Sequence, residues 1–101
     1  MVKHISKEEH YIDNLVNRVS GQYVKFIRHY EYSIGRLCGE LDLLALQQNG
    51  MIDIYEVKAS QAHLWKAKLQ LARARKAFLN VDKCYAYVGL ENRLIKEEDL
   101  L

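Results

Sequence analysis

Two apolar stretches joined by Asn49-Gly50 constrain the fold of this chain more than any other feature of its sequence. The first stretch runs from Glu40 to Gln47 and the second from Met51 to Ala59. An Asn-Gly pair between two such stretches is a strong signal for a β-hairpin, because both residues tolerate the left-handed backbone of tight turns. We therefore expect two antiparallel strands here.

The register of this hairpin decides which side chains share a face of the sheet. A two-residue turn pairs Asp42 with Val57, which puts Asp42 and Glu56 on opposite faces. A three-residue loop from Gln48 to Gly50, with its last residue left-handed, pairs Asp42 with Glu56 instead. The hydrophobic pattern favours the three-residue loop, because it turns Asp53 away from the apolar face. The apolar side chains that this register gathers beside Asp42 and Glu56 are Leu44, Leu46, Ile52 and Ile54.

The periodicity of the remaining chain predicts a helix and a strand before the hairpin, and a helix and a strand after it. The helices are expected over Lys7–Ser20 and Gln61–Asn80, and the strands over Tyr23–Ile34 and Lys83–Leu90. The tail from Glu91 is expected to be a short helix or a frayed end. The order α-β-β-β-α-β predicts an α/β fold, in which a three-stranded meander and a strand after a crossover helix form a mixed sheet flanked by helices.

The composition indicates a single folded domain over residues 1–101. Half of the residues are apolar and 28% are charged, which argues against wholesale disorder. No apolar run approaches the roughly 20 residues that cross a bilayer, so no membrane span is expected. No signal peptide is recognisable, and neither the cysteines nor the histidines show metal-ligand spacing. We therefore expect a cytoplasmic, or more broadly intracellular, protein.

Charge is distributed unevenly along the chain, although the net charge is only +2. The segment from Lys58 to Lys83 contains a single acid, Asp82, among many basic residues. Such a segment suits a polyanion, because each neutralised phosphate releases condensed counterions. The alternative is a solvated helix face with ordinary lysines. The candidates for contact with nucleic acid are Lys66, Lys68, Arg73, Arg75 and Lys76, with Gln70 beside them.

The charged residues of the hairpin are the candidates for chemistry, because charged groups in apolar strands are costly unless they are paired, hydrated or bound to a metal. Asp42 and Glu56, if adjacent, suit Mg²⁺ or Mn²⁺, which prefer carboxylate, water and phosphate oxygens. The backbone carbonyl of Val57 would complete the ligands from the protein. Lys58 follows in the same strand and would orient an attacking water or neutralise charge on a phosphoryl group.

The segments Glu40-Leu41-Asp42 and Glu56-Val57-Lys58 resemble the core motif of the PD-(D/E)XK nuclease superfamily. The predicted order of elements also resembles the conserved core of that superfamily. Within it, the small size and the helix before the meander are most similar to archaeal and viral Holliday-junction resolvases. The resemblance covers most of the chain in topology but only these two short segments in motif, and Leu41 stands where the motif has proline.

The resemblance implies a metal-dependent endonuclease that hydrolyses DNA phosphodiester bonds, with branched DNA as its substrate. It also implies a further acid on the first helix, which would help to hold the metal. Glu9 is the first candidate, because the apolar stripe toward the sheet follows it, and Glu8 is the second. Glu9 is also the natural capping-box partner of Ser6, which would explain it without any catalytic role.

Cutting two strands needs two sites, so a symmetric homodimer is expected. The last predicted strand or the leucine-rich tail is the expected interface, and the tail residues concerned are Leu94, Ile95, Leu100 and Leu101.

Two other interpretations stay open at this stage. One is a non-catalytic nucleic-acid-binding module with the same fold, although such a module has no need for the two carboxylates. The other is a restriction-type or repair-type nuclease that acts on duplex or flap DNA.

Overall fold

Two helices and five strands make up the computed structural model of this protein, which describes residues 6–100. The helices are α1 (Lys7–Val19) and α2 (Leu64–Ala77). The strands are β1 (Lys25–Ile34), β2 (Leu37–Leu46), β3 (Ile52–Lys58), β4 (Val81–Val88) and β5 (Arg93–Lys96). Short 3₁₀ turns occupy Ser20–Gln22, Gln61–His63, Gly89–Glu91 and Glu97–Asp99. Neither α1 nor α2 has the length and apolar character that a helix needs to cross a membrane.

The strands lie in the sheet in the same order as in the chain. Strands β1, β2 and β3 form an antiparallel meander, β4 runs parallel to β3, and β5 runs antiparallel to β4. This arrangement confirms the predicted α/β fold with a mixed sheet flanked by helices. The prediction of a short helix or frayed end after Glu91 was wrong for β5. Asn92 takes the left-handed conformation (φ 48°) and turns the chain back along β4. The pairing of β5 with β4 is a tertiary contact that the short sequence of the tail does not predict.

The hairpin between β2 and β3 has the three-residue loop that the hydrophobic pattern favours. Leu46 pairs with Ile52, and the N–H of Gln47 donates to the carbonyl of Met51 at 2.9 Å. Gly50 closes the loop with a φ of 86°, which costs glycine little because it has no Cβ. The predicted register is therefore confirmed.

The sheet carries a separate apolar core on each face. On the α2 face, Ile52 and Ile54 pack with Ala67, Leu71 and Ala74 of the helix. The core on the α1 face contains Ile12, Leu15, Val19, Leu43, Ala45, Tyr55, Val57 and Tyr87. Because successive strand residues point to opposite faces, β3 contributes to both cores along its length and is the most deeply buried strand.

Helix α1 is stabilised by an N-cap at its first turn and by close packing against the sheet. The Ser6 hydroxyl accepts the N–H of Glu9 at 3.2 Å, as an N-cap does. Farther along the helix, the Tyr11 ring lies where a Cβ at Gly89 would be, so that glycine lets α1 pack over the end of β4. The helix therefore presents its first turn to the end of the sheet where β3 finishes.

The predicted dimer interface is not available on the surface of this fold. Ile95 and Leu100 are buried in the core on the α2 face, and Leu94 packs against the core on the α1 face. The strand predicted as Lys83–Leu90 corresponds to β4, which is interior because β3 and β5 flank it. The predicted interface was wrong because β5 and the turn after it use these side chains within the protomer. Leu101 lies outside the described residues.

Candidate active site

Strands β2 and β3 bring Asp42 and Glu56 to the same place. Their regular pairing runs as far as Leu43 and Tyr55, and one step further in that register places Asp42 opposite Glu56. There a side chain replaces the backbone as hydrogen-bond acceptor between the strands, because Oδ2 of Asp42 accepts the N–H of Val57 at 2.7 Å. This bond fixes the Asp42 carboxylate between the two strands and beside the next residue of interest, Glu56.

The usual alternation of faces breaks in β2 at this position. Leu41 and Leu43 are two residues apart, yet Leu41 belongs to the α2-side core and Leu43 to the α1-side core. The residue that stands opposite Asp42 in the β1–β2 register is His29, which has a φ of 52°. Positive φ is uncommon and costly for a residue other than glycine, and such residues cluster at functional sites. The irregularity lets Asp42 reach side chains from the first turn of α1 as well as Glu56.

Glu56 is the most unusual group in the described part of the molecule. Its side chain is 0% exposed, and among residues 6–100 neither of its carboxyl oxygens accepts a hydrogen bond. Burial raises the pKa of Glu56 from its usual 4.5 to about 10, the negative charge of Asp42 and the contact with its carboxylate raise it further, and Lys58 opposes the rise. In this arrangement Glu56 is a neutral acid at pH 7.

A buried carboxyl without partners costs free energy unless something else satisfies it. A divalent cation with oxygen ligands would do so, because it replaces the missing hydrogen bonds and favours the ionised form. Asp42 supplies a second oxygen donor next to Glu56. The donor set therefore fits Mg²⁺ or Mn²⁺, the two ions that the sequence predicts.

The first helix contributes Glu8 to this place, whereas the sequence favours Glu9. One ligand atom from each of Glu8, His29 and Asp42 lies within 4.8 Å of the others. Burial, followed by the charge of Asp42, raises the pKa of Glu8 above its usual 4.5. Glu8 is therefore the α1 acid that lies beside Asp42.

Glu9 lies in an ion-pair group with β1 instead. Its carboxylate contacts Nε2 of His29 and lies 3.4 Å from Arg28, which also pairs with Asp13 at 2.6 Å. The other ring nitrogen of His29 lies 2.8 Å from Glu40. The bond to Glu9, and then that to Glu40, raises the pKa of His29, whereas burial lowers it. Both ring nitrogens therefore contact carboxylates of the protein in this arrangement.

Lys58 ends β3 at the same end of the sheet. It lies two residues after Glu56, and its positive charge lowers the pKa of that carboxyl. Val57, between them, contributes its N–H to the Asp42 bond, while a role for its carbonyl stays a prediction. Two carboxylates and an ammonium group therefore share one region of the hairpin.

The basic candidates on α2 divide into two groups. Lys66, Lys68, Arg73 and Lys76 are exposed along the helix. Arg75 instead donates to Glu97 at 2.5 Å and to the carbonyl of Asp82 at 3.2 Å, so part of its binding capacity is used within the protein.

The predicted position of Gln70 on the polar face of α2 was wrong. Gln70 is half-buried, and its Oε1 has no hydrogen-bond partner among residues 6–100. It lies three residues after Ala67 and four before Ala74, both of which face the sheet, so helical geometry carries it inward.

Sequence reasoning missed His29 because the histidines show no regular spacing. A usable signal existed in the turn between β1 and β2, where Gly35 takes a φ of 60° and Ile34 pairs with Leu37. A two-residue turn at that point places His29 directly opposite Asp42.

Comparisons with known proteins give structural relatives. No family model matches the chain, and no curated protein sequence matches it. The structure is similar to the crystal structure of a repair endonuclease from Pyrococcus abyssi, with a TM-score of 0.50 and 20% identity over 89% of this chain and 43% of that chain. This chain has the fold of a repair endonuclease. A weaker similarity, with a TM-score of 0.43 and 17% identity over 75% of this chain and 33% of that chain, is to EndoMS in a complex with double-stranded DNA. The chain spans less than half the length of either structure.

Proposed function

We propose that this protein is a metal-dependent endonuclease of the PD-(D/E)XK type that hydrolyses phosphodiester bonds in DNA. The observation that carries the proposal is Glu56, a fully buried carboxyl between Asp42 and Lys58 that accepts no hydrogen bond from the part of the chain that the structure describes. The fold that it shares with a repair endonuclease supports the same function. A structural role for Glu56 would be better served by an apolar residue, which has no desolvation cost.

Asp42 and Glu56 would hold Mg²⁺ or Mn²⁺, with Glu8 as the third acid and the carbonyl of Val57 as a further ligand. Such a cation stabilises negative charge on the phosphoryl oxygens and makes water a better nucleophile at neutral pH. The geometry favours Glu8 over Glu9 for this task, because Glu9 contacts His29 and Arg28.

Lys58 would act on the reacting groups themselves. Its ammonium group is near enough to Glu56 to oppose the rise in the pKa of that carboxyl. From this position it would orient the attacking water and neutralise charge that develops on the phosphoryl group. The protein would therefore contribute fixed charges of both signs at the scissile phosphate.

The exposed cations of α2 would hold the sugar-phosphate backbone. Lys66, Lys68, Arg73 and Lys76 would contact phosphates, which gives affinity without reading sequence, and Arg75 would contribute less because it is paired with Glu97. We propose branched DNA, including Holliday junctions, as the substrate, an intracellular location, and a symmetric homodimer that cuts two strands.

A non-catalytic nucleic-acid-binding module is the second candidate function. The exposed cations of α2 suit it equally well, but Glu56 does not, because phosphate binding gains nothing from a buried carboxyl. Cleavage therefore has to be tested separately from binding.

The direct test is cleavage of a four-way junction, a flap and a linear duplex of matched sequence. We expect nicking with Mg²⁺ or Mn²⁺, none with EDTA, and a rate on the junction that exceeds that on the duplex. Lys58→Ala should abolish nicking while it preserves binding. Lys25→Ala is the matched control, because Lys25 is an exposed lysine at the start of β1, beside the loop end of the β2–β3 hairpin and away from Lys58.

Binding without nicking by the wild-type protein, under every metal condition, would contradict the proposal. Equal rates on the three substrates would contradict only the branched-DNA part.

A further inference from the structure

The outer face of α2 carries a stripe of exposed side chains, three of them apolar and one a lysine. Trp65 is 57% exposed and Leu69, one turn later, is 59% exposed. The buried residues Ala67, Leu71 and Ala74 occupy the opposite face of the helix, against the sheet. The stripe follows spacings of four, three and four residues, which keep side chains on one line of a helix. Its members are Trp65, Leu69, Ala72 and Lys76.

Cations flank this stripe along both edges. Lys66 and Arg73 are seven residues apart and lie on one edge, and Lys68 and Arg75 lie in the same way on the other edge. The ammonium group of Lys66 lies 5.5 Å from the centre of the Trp65 ring. Helix α2 contains no acidic residue, and in the described part of the chain only Arg75 among these four cations has a carboxylate partner.

Exposed aromatic rings between cations are what unpaired nucleotides require. Every base has a face that stacks on an aromatic ring, and the phosphates on either side need positive charge. A base pair inside a regular duplex does not offer that face. The stripe also starts near the candidate active site, because only the 3₁₀ turn Gln61–His63 and its short flanks separate α2 from Lys58.

We propose that the outer stripe of α2 binds unpaired DNA bases, with Trp65 stacking on a base and the flanking cations holding the phosphates. This inference deepens the proposed nuclease function, on which its cleavage arm rests, by naming branched DNA with a single-stranded arm as the preferred class among the proposed branched substrates. A second copy of this chain is a poorer occupant, because pairing two such stripes would bring their flanking cations together.

Trp65 is the only tryptophan of the chain, so its fluorescence reports on this face alone. Metal-free protein in EDTA would be titrated, at low salt, into fluorescein-labelled oligo(dT) and into a labelled duplex of matched length. The anisotropy of the label gives the affinity of every variant, and tryptophan quenching is followed in the proteins that keep Trp65. We expect saturable quenching that is larger with oligo(dT). Trp65→Ala should lower the affinity for oligo(dT), relative to that for duplex, by about 5- to 100-fold, while Trp65→Phe should retain most of it. Leu79→Ala is the control, because Leu79 is fully exposed beyond the end of α2.

The outcomes separate this proposal from the function on which it rests. Loss of oligo(dT) and duplex affinity in the same proportion in Trp65→Ala, or no quenching on binding, would overturn the stacking surface. A protein dimer that dissociates in Trp65→Ala by sedimentation, with oligo(dT) affinity unchanged, would assign the stripe to a second copy and would also overturn it. Quenching by oligo(dT) without any cleavage in Mg²⁺ would support the surface and reject the nuclease. If Trp65→Ala leaves cleavage equally fast on gapped and on intact duplexes, the nuclease function is supported and the stacking surface is rejected.

Discussion

Strand β3 carries two buried carboxyl groups, and they differ in everything except burial. Asp53 is 4% exposed and lies on the α1 side of the sheet. Its Oδ2 accepts a hydrogen bond from the Tyr23 hydroxyl at 2.5 Å. Its Oδ1 accepts from the side chain of Gln47 at 2.8 Å and from the N–H of Lys83 at 2.9 Å. Glu56, three residues later, accepts no hydrogen bond at either oxygen from the described residues.

The difference separates an acid with structural hydrogen bonds from the acid that we propose as a metal ligand. Asp53 joins residues of three further segments at the loop end of the hairpin, and its hydrogen bonds offset the cost of burying it. Burying Glu56 has the same desolvation cost, but no hydrogen bonds from the described residues to its oxygens offset that cost. A folded protein tolerates such a group mainly where function requires it. Burial alone therefore does not distinguish the two acids, whereas the presence or absence of hydrogen-bond donors around them does.

The largest expected effect is on cleavage. Glu56→Gln should lower the rate of junction nicking by about 10²- to 10⁴-fold, because an amide is a poor ligand for a hard divalent cation. Asp53→Asn should leave the rate per folded molecule within about threefold. Initial rates would be normalised to the folded fraction measured by circular dichroism. Equal losses in the two variants would remove the distinction between the two acids.

The next effect is a pH dependence of stability in the absence of metal. The pKa of Glu56 is about 10 in the fold and 4.5 as its usual value, so the unfolded chain loses this proton first as the pH rises. Stability from this group is therefore complete below about pH 4.5 and falls as the pH rises toward 10, by up to about 1.4 kcal/mol per pH unit. Urea unfolding in EDTA from pH 5 to pH 9 would measure it. Glu56→Gln should have a flatter profile, and parallel profiles would contradict the raised pKa.

The two acids should also differ in the sign of their effect on stability at pH 8 without metal. Asp53→Asn should destabilise the protein by about 1–3 kcal/mol, because it leaves hydrogen-bond donors poorly matched in a buried network. Glu56→Gln should stabilise it, because the amide avoids the ionisation of Glu56 that favours the unfolded chain. Chemical denaturation of both variants beside the wild-type protein would decide, and destabilisation by both would show that Glu56 has an undetected structural partner.

The smallest effect concerns the first helix. Glu8→Gln should lower the nicking rate about tenfold at limiting Mg²⁺, with partial recovery at high Mg²⁺, because Glu8 lies beside Asp42. Glu9→Gln should change the rate about twofold or less, because that carboxylate contacts His29 and Arg28. The Mg²⁺ concentration for half-maximal rate is the measurement. A larger increase of this Mg²⁺ concentration in Glu9→Gln than in Glu8→Gln would show that Glu9 is the acid that helps to hold the metal, as the sequence predicts.

Much of the fold could be predicted because it depends on local patterns. The N-cap at Ser6 and the helical periodicity after it placed α1 to within one residue. Alternating apolar residues and Gly50 fixed the hairpin register, because the competing register would put Asp53 on the wrong face. Strand β5 could not be predicted, since four residues carry too little periodicity and their pairing with β4 depends on the turn at Asn92.

The candidate site divides in the same way. Asp42, Glu56 and Lys58 could be named from the sequence, because charged residues inside apolar strands are conspicuous. The choice between Glu8 and Glu9 could not be made, since adjacent helical residues differ by about 100° and the direction of α1 over the sheet is set by packing. Gln70 was misplaced for a related reason, because a glutamine on a basic helix resembles a surface residue until the helix is docked.

The hairpin, its register and the identity of its charged residues follow from the amino-acid sequence alone, because side-chain alternation and turn chemistry act over a short span. The contrast between Asp53, which is hydrogen-bonded, and Glu56, which accepts no hydrogen bond from the described residues, depends on the tertiary structure. The partners of Asp53 come from segments up to 30 residues away, and whether such groups meet depends on how the whole sheet closes.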